Sequence, residues 1–386
     1  MKHYDVILAG GGAAGLSLAY HLSQSQPDLR LLVVDREIKR YNDHTWCSWL
    51  QGPQPFDAAA YRTWERLAFH GLGYDAVFDL APYRYRMIRA TDFYRFIRET
   101  FAHRHSVDLI RGDVTRIVDG PEQAEVHIHV DELAFAADWV FDSRYDATEY
   151  RPLSSRYHYL VQHFLGWEIE TAVPTFAPDV PSLFDFRTPQ RGAMRFVYVL
   201  PYDDRRALVE YTLFSANLLP QAEYEAALRE YLADVVGVTD YRITEVEQGV
   251  IPMTDHPAPR RIGHRVMTIG TRGGRVKPST GYAFHRIQQD SAAIVRSLMA
   301  HGHPFALPTP PSRYRFFDAI LLQVLYRRGG LGASVFTALF QHNPIQRIFR
   351  FLDEESSWGD DFQIVASVPP GPFIAAWARL KLLRKV

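Results

Sequence analysis

The chain has 386 residues, with 43 Lys and Arg against 44 Asp and Glu, a balance that argues against nucleic acid as its principal partner. Its one cysteine, Cys47, excludes an intramolecular disulfide and the multi-cysteine zinc sites and suits a reducing compartment. The length suffices for two intertwined domains with large cores, and no run of about eighteen uninterrupted apolar residues marks a spanning helix.

The first element is an apolar strand from Tyr4 that runs into Gly10-Gly-Gly12-Ala13-Ala14-Gly15 and a helix of small residues. This is the pattern of a dinucleotide grip. Gly10 permits the tight turn, Gly12 lets a pyrophosphate approach the backbone at the helix N-terminus, and Gly15 lets the helix pack closely on the strand. A second strand, Leu31 to Asp35, ends in an acid twenty residues beyond Gly15, where a carboxylate reaches a ribose hydroxyl. No signal-peptide pattern is expected, because the N-terminus is already the first strand. The fingerprint does not by itself choose between NAD and FAD.

Next come a loop carrying His44-Thr45-Trp46 and a Tyr- and Arg-rich segment to Arg89 that reads as strands. Residues 91–103 are expected to be helical, with Thr91 as N-cap and Phe93, Phe96, Ile97 and Phe101 at helical spacing. Strands are expected over 107–118, 124–130 and 133–141, the last leading into Asp142-Ser-Arg144. From about 157 to 260, long aromatic and β-branched strands predict an antiparallel sheet, most clearly in a hairpin of 195–201 and 207–214. A helix over 221–235, a strand over 266–270 and a helix starting near Gly281 complete this part. The histidine pairs His127/His129 and His301/His303 supply no complete ligand set, so no metal is expected.

Residues 313–352 and 372–385 are expected to be helical. Phe316, Phe317, Ile320, Leu321, Val324 and Leu325 make a stripe that reads as core-facing. Phe373, Ile374, Trp377, Leu380, Leu382 and Leu383 make another beside Arg379, Lys381, Arg384 and Lys385. That combination fits an interfacial helix on anionic lipid.

On the second hairpin strand Leu208, Glu210, Thr212 and Phe214 share one face, and Ala207, Val209, Tyr211 and Leu213 the other. Both faces are mostly apolar. A carboxyl there is desolvated and keeps its proton near neutrality, as a general acid must; the plainer reading pairs Glu210 with Arg195 or Arg206. Phe196, Tyr198, Trp167 and Phe214 are candidates to face a carbocation, although most such aromatics are ordinary core.

The motifs His44-Thr45-Trp46, Leu208-Val-Glu210-Tyr211-Thr212 and Pro278-Ser279-Thr280-Gly281-Tyr282 together resemble the lycopene β-cyclases of carotenoid biosynthesis, in order and spacing over nearly the whole chain. Gly249-Val-Ile-Pro-Met253 and Phe351-Leu-Asp-Glu354 resemble the bacterial members, and the N-terminal grip resembles the FAD-binding flavoproteins with two dinucleotide-binding domains. The resemblance implies an α/β fold: a Rossmann-type FAD-binding domain (1–60, 91–156 and 262–300) interleaved with an antiparallel-sheet substrate domain (61–90 and 157–261), and a helical, membrane-facing region (301–386). It implies an isomerase that cyclises the ψ-ends of lycopene, or a related acyclic carotenoid, to β-ionone rings without net redox change. FAD would be active in reduced form with NAD(P)H as reductant, and the enzyme would sit at the inner face of the cell membrane. The implied residues are Glu210 as catalytic acid and, around FAD, Gly10, Gly12, Ala13, Ala14, Gly15, Asp35, Thr45, Trp46, Asp142, Pro278, Ser279, Thr280, Gly281 and Tyr282. Arg272, Arg275 and Lys277 stand upstream of that last loop as candidates to neutralise flavin or phosphate charge. Family members usually carry an acid directly after the catalytic Glu, where this chain has Tyr211. The alternative on the same scaffold is an FAD-dependent monooxygenase or reductase acting on an apolar polyene. Oligomeric state is open.

Overall fold

The computed structural model describes residues 1–37, 39, 41–129, 133–147 and 156–383. In chain order the first half comprises β1 (Lys2–Ala9), α1 (Ala13–Ser25), β2 (Leu31–Asp35), β3 (Thr45–Gln51), β4 (Arg62–Trp64), β5 (Arg66–His70), β6 (Asp75–Asp79), β7 (Tyr83–Arg89), α2 (Ala90–Phe101), β8 (Val107–Arg111), β9 (Val114–Val118), β10 (Ala124–Ile128) and β11 (Ala134–Asp142). The second half comprises β12 (Tyr159–Thr171), β13 (Ser182–Asp185), β14 (Met194–Pro201), β15 (Arg206–Ser215), α3 (Gln221–Tyr231), β16 (Tyr241–Thr254), β17 (Val266–Thr268) and α4 (Phe284–His301). The C-terminal helices are α5 (Ser312–Arg328), α6 (Gly332–His342), α7 (Ile345–Leu352), α8 (Trp358–Ser367) and α9 (Pro370–Leu383).

The first sheet has the order β8-β2-β1-β11-β10-β9, with β17 also paired to β11. Strands β8, β2, β1, β11 and β17 are parallel, and β9 and β10 form an antiparallel arm. The continuous apolar runs of β1 and β2 follow from burial on both faces. Val6, Leu8, Leu31 and Val33 pack with residues of α1 and α4, while Ile7, Ala9, Leu32 and Val34 pack with the arm.

The second sheet has the order β16-β12-β15-β14-β13-β5-β6, antiparallel except between β13 and β5. One face, with Leu165, Trp167, Val197, Val209, Tyr211 and Leu213, packs against Tyr224 and Leu228 of α3. The other carries Phe196, Tyr198, Leu208 and Phe214 into an aromatic core shared with β3, β7 and the helices after α5. A small sheet, β3-β7-β4, lies against this core.

Several local expectations are corrected. The strand expected over 107–118 breaks at Gly112, whose N–H donates to Asp35 O at 2.8 Å; β8 then joins β2 and β9 turns to join β10. Residue 130 of the expected 124–130 strand lies outside the described residues. Thr45 and Trp46 open strand β3 instead of lying in a loop, because this segment pairs with all of β7. Helix α2 begins one residue before Thr91 and has no side-chain cap; Asp92 sits in its first turn, held by Arg89 and Arg95. The helix expected over 221–235 is α through Tyr231 and closes in a π-turn, Leu232–Val236.

The helical run expected over 313–352 is three helices. Gly329 lies against Ala193, where an added Cβ would meet backbone at 3.0 Å, and Pro344 can neither donate to a preceding turn nor continue a helix. Helix α8 was not anticipated. The helix expected from Gly281 begins at Phe284, because Gly281 has φ +75° inside a turn closed by its own N–H on Lys277 O. The stripe on α5 divides: Ile320 and Val324 pack on Ala376 and Leu380 of α9, Leu325 enters the main core, and Phe316 is exposed. Arg384 and Lys385 lie outside the described residues.

Candidate functional site

Between the two large sheets lies a cavity of about 380 Å³. One end is the glycine turn. Gly10 has φ +112°, and a Cβ there would lie 2.2 Å from Ser143 Oγ, while one on Gly15 would lie 1.9 Å from Gly10 O. No other residue fits either place. Beside Gly12, by contrast, no atom lies within 4 Å of where a Cβ would be, so the backbone at the start of α1 is open to the cavity that Gly12, Ala13 and Ala14 line. Asp35 turns inward on this loop, its Oδ2 accepting from Gly11 N–H at 2.6 Å and its Oδ1 from Glu37 N–H at 2.9 Å. Asp142 is buried, grips Arg144 through both oxygens and lies 3.5 Å from Arg272; its neighbour Ser143 lines the cavity.

The loop 278–282 forms another wall. Lys277 is buried between Asp318 and Glu354, at 3.0 and 3.1 Å, and Ser279 Oγ donates to Asp318 Oδ1 at 2.6 Å. The Thr280 and Gly281 N–H groups donate back to Lys277 O, so these two are not available to a phosphate or a ring carbonyl. What the loop presents instead is Thr280, Gly281 and Tyr282. Thr280 Oγ1 and the facing Gln162 Oε1 are both buried without a protein hydrogen bond, and a Cβ on Gly281 would lie 2.0 Å from that Gln162 oxygen. Buried polar atoms of this kind are satisfied by a ligand or ordered solvent. Lys277 faces protein carboxylates, Arg275 lies 3.6 Å from Asp290, and Arg272 donates to Arg144 O, which accounts for the three upstream cations within the protein. Trp46 stacks on Phe284 at 5.3 Å at the cavity edge. An open helix N-terminus and the unsatisfied Thr280 and Gln162 atoms in one cavity fit a dinucleotide carrying a polar-edged ring system.

The chemistry-bearing side chains come from one row across the second sheet. Strand register aligns Tyr198, Glu210, Gly166 and Glu247 on β14, β15, β12 and β16, so all four positions face the cavity side. Thr212 Oγ1 donates to Glu210 Oε1 at 2.7 Å. Among the described residues no cation offsets the burial: Arg195 Nη1 donates to Tyr211 Oη on the opposite face, and Arg206 pairs with Asp203. Burial first, and then the nearby Glu247 carboxyl, push the Glu210 carboxyl up to about 8. It is therefore protonated at neutral pH. Glu247 is also raised by burial, but its oxygens accept from Thr45 N–H at 2.7 Å and Thr45 Oγ1 at 2.6 Å, which oppose the rise. Tyr85, Tyr198, Tyr282 and Cys47 complete the surroundings, and burial holds each of their hydroxyl or thiol groups neutral.

The sequence reading thus placed Glu210 in the cavity, with Phe196, Tyr198 and Phe214 on its side, but put Trp167 among the possible cation partners although it faces α3 under Arg229. Thr45 lines the cavity as expected of a cofactor-site residue, and both its donors engage Glu247. Glu247 and Gly166 were missed. Their signal was alternation: Glu247 lies two residues before Gly249, in phase with the cavity-facing positions of β16. Among the described residues no group of three or more His, Cys, Asp or Glu is placed to hold a metal.

A family model described as lycopene cyclase protein matches residues 5–378. The chain is 28% identical over 403 residues to the lycopene beta-cyclase of Paracoccus sp. (strain N81106 / MBIC 01143), covering 96% of this chain and 95% of that one. It is 29% identical over 400 residues to the lycopene beta-cyclase of Pseudescherichia vulneris, covering 97% and 96%. Among solved structures the flavin-dependent brominase Bmp2 superposes with a TM-score of 0.65 over 98% of this chain and 100% of that one, at 15% identity. The fold is that of the flavin-dependent oxidoreductases.

Proposed function

The chain belongs to the lycopene cyclase family, and on that premise we propose that it closes β-ionone rings on the ψ-ends of lycopene, with Glu210 as the proton donor. The observation that supports this most is a buried carboxyl with no cation beside it among the described residues, in the wall of a cavity that also reaches the open backbone at the start of α1. Protonating an alkene requires an acid that is not already ionised and not levelled by water. Because Thr212 donates to Oε1, the acidic proton belongs on Glu210 Oε2. Its transfer to the terminal double bond leaves a tertiary cation, the neighbouring alkene attacks, and loss of a ring proton completes the product. Tyr85, Tyr198 and Tyr282 line the same cavity, and a ring face turned to the cation would be worth on the order of 2 kcal/mol for each favourable desolvated contact.

FAD would be held by Gly10, Gly12, Ala13, Ala14 and Gly15 at its pyrophosphate, with Asp35 shaping that turn, and by Trp46, Thr280, Gly281 and Tyr282 toward the ring. Asp142, Pro278 and Ser279 support these contacts from behind. When bound in reduced form, which NAD(P)H would maintain, the flavin would supply an electron-rich ring able to steady positive charge. Lycopene resides in membranes, so access is proposed from the inner face of the cell membrane through α9, where Ile374, Trp377 and Leu382 are exposed beside Arg379 and Lys381. No helix among the described residues is long and apolar enough to cross a bilayer.

The deciding experiment is pigment analysis of lycopene-accumulating bacteria expressing this chain or its Glu210→Gln variant. The expected product has unchanged mass, absorbs at shorter wavelength and is missing with the variant. Unaltered lycopene beside folded, FAD-loaded protein would sink the reading, and a mass change by oxygen or hydrogen would favour the monooxygenase or reductase.

A further inference from the structure

We infer that Glu247 is the second catalytic carboxylate of this site, the group that accepts the ring proton after Glu210 has given one. This rests on the cyclase reading. Cyclisation takes up one proton at the terminal alkene and releases one from the ring, so the site needs an acid and a base on one side of the substrate. The row across the sheet supplies both. Glu210 and Glu247 flank Gly166 on its two neighbouring strands, which sets their backbones about 10 Å apart. Gly166 puts no side chain between them, and the place is closely packed: a Cβ there would stand 3.4 Å from Glu210 Cβ and 3.0 Å from Leu208 Cδ1. Both side chains line the same cavity.

Their hydrogen bonds divide the roles. Glu210 receives one hydroxyl donor, while Glu247 receives an N–H on Oε1 and a hydroxyl on Oε2. Donors to a carboxylate favour its ionised form, so a proton shared by the pair rests on Glu210 and the negative charge on Glu247. Among the described residues the titratable groups near Glu247 are Glu210 on β15, Glu168 on β12, Cys47 on β3, Tyr202 after β14, Glu245 on its own strand, and His44 and Asp43 before β3. In the step, the Glu210 O–H bond breaks and a C–H bond forms at the terminal alkene carbon. The ring C–C bond then forms from the neighbouring alkene. The ring C–H bond breaks last, its electron pair becoming the ring double bond and its proton passing to a Glu247 oxygen. Return of that proton to Glu210 across the Gly166 gap resets the pair, with no electrons exchanged.

The test is cyclisation of lycopene in liposomes by the FAD-loaded protein, with NADPH or dithionite keeping the flavin reduced, as wild type, Glu247→Gln, Glu247→Asp and Thr45→Val. Glutamine still accepts from Thr45, so a structural role survives that change while the base is lost. Glu247→Gln is expected to retain flavin absorbance and to lose roughly 10²–10³-fold in ring formation, in the range of general-base removal. Glu247→Asp should recover about tenfold of that loss. The alkaline limb of the residual Glu247→Gln activity should move to lower pH, because the charge that raises Glu210 is gone. A Glu247→Gln variant within about threefold of wild type, with an unmoved limb, overturns the assignment. Should that variant not fold, Thr45→Val decides: loss of one donor must move the acid limb upward, and an unmoved limb counts against Glu247. A wild type that forms no rings overturns the cyclase reading itself, and this inference with it.

Discussion

Glu210 is costly to the protein that carries it. Its folded carboxyl titrates near 8, above the ordinary value of 4.5, so the native state holds a proton that the unfolded chain releases. The sign follows directly. Below about pH 4.5 both states are protonated and the residue contributes nothing; as pH rises toward 8 the unfolded state gains and native stability declines. Glu210→Gln should therefore stabilise the protein by roughly 1–2 kcal/mol at pH 8, a size typical of relieving a strained active-site group, and by nothing near pH 4. Thermal melts of both proteins across that range check it; an equal shift at both ends would mean that packing and not ionisation is responsible. The same substitution should lower ring formation by about 10²–10⁴-fold, so stability and activity move in opposite directions.

Strands and loops decide whether these side chains meet. Gly281 carries φ +75° and points at Gln162 Oε1, so Gly281→Ala adds about 1–2 kcal/mol of left-handed strain and a clash, and should weaken FAD retention during dialysis with little change in the second sheet. Unchanged retention would detach this loop from the cofactor. The first βαβ unit was legible because strand, glycines, helix and acid carry their signal within about 35 contiguous residues. The face of Glu210 was legible from alternation in one hairpin. Glu247 was not, because its significance comes from sharing a row with residue 210 across β12, and register between strands distant in sequence is not written in either strand. The bond from Thr45 to Glu247 was illegible for the same reason: its partner lies 202 residues away. The breaks at Gly329 and Pro344 had local signals, and the periodic apolar pattern running through them masked both.

Across the whole molecule, the exposed apolar residues of α8 and α9 are a feature that the proposed access from a membrane would explain. Trp358, Phe362 and Val365 recur at helical spacing on α8, and Ile374, Trp377 and Leu382 project from α9. Replacing Ile374 and Trp377 by Glu should release the protein from anionic liposomes in a flotation assay by about tenfold or more while FAD stays bound. Equal flotation of the variant would remove α9 as the contact. Helix α9 is thus expected to be separable from the cofactor site, but the helices before it are not. The buried Lys277 ammonium is clasped by Asp318 of α5 and by Glu354 just after α7, and Glu354 also holds Arg286 of α4. That cluster is a keystone: three stretches of chain converge on one cation directly behind the 278–282 wall. A truncation from α5 onward would leave a charge stranded in the interior and undo the backing of the 278–282 loop, so changes meant to weaken the proposed membrane contact belong on the surface of α8 and α9.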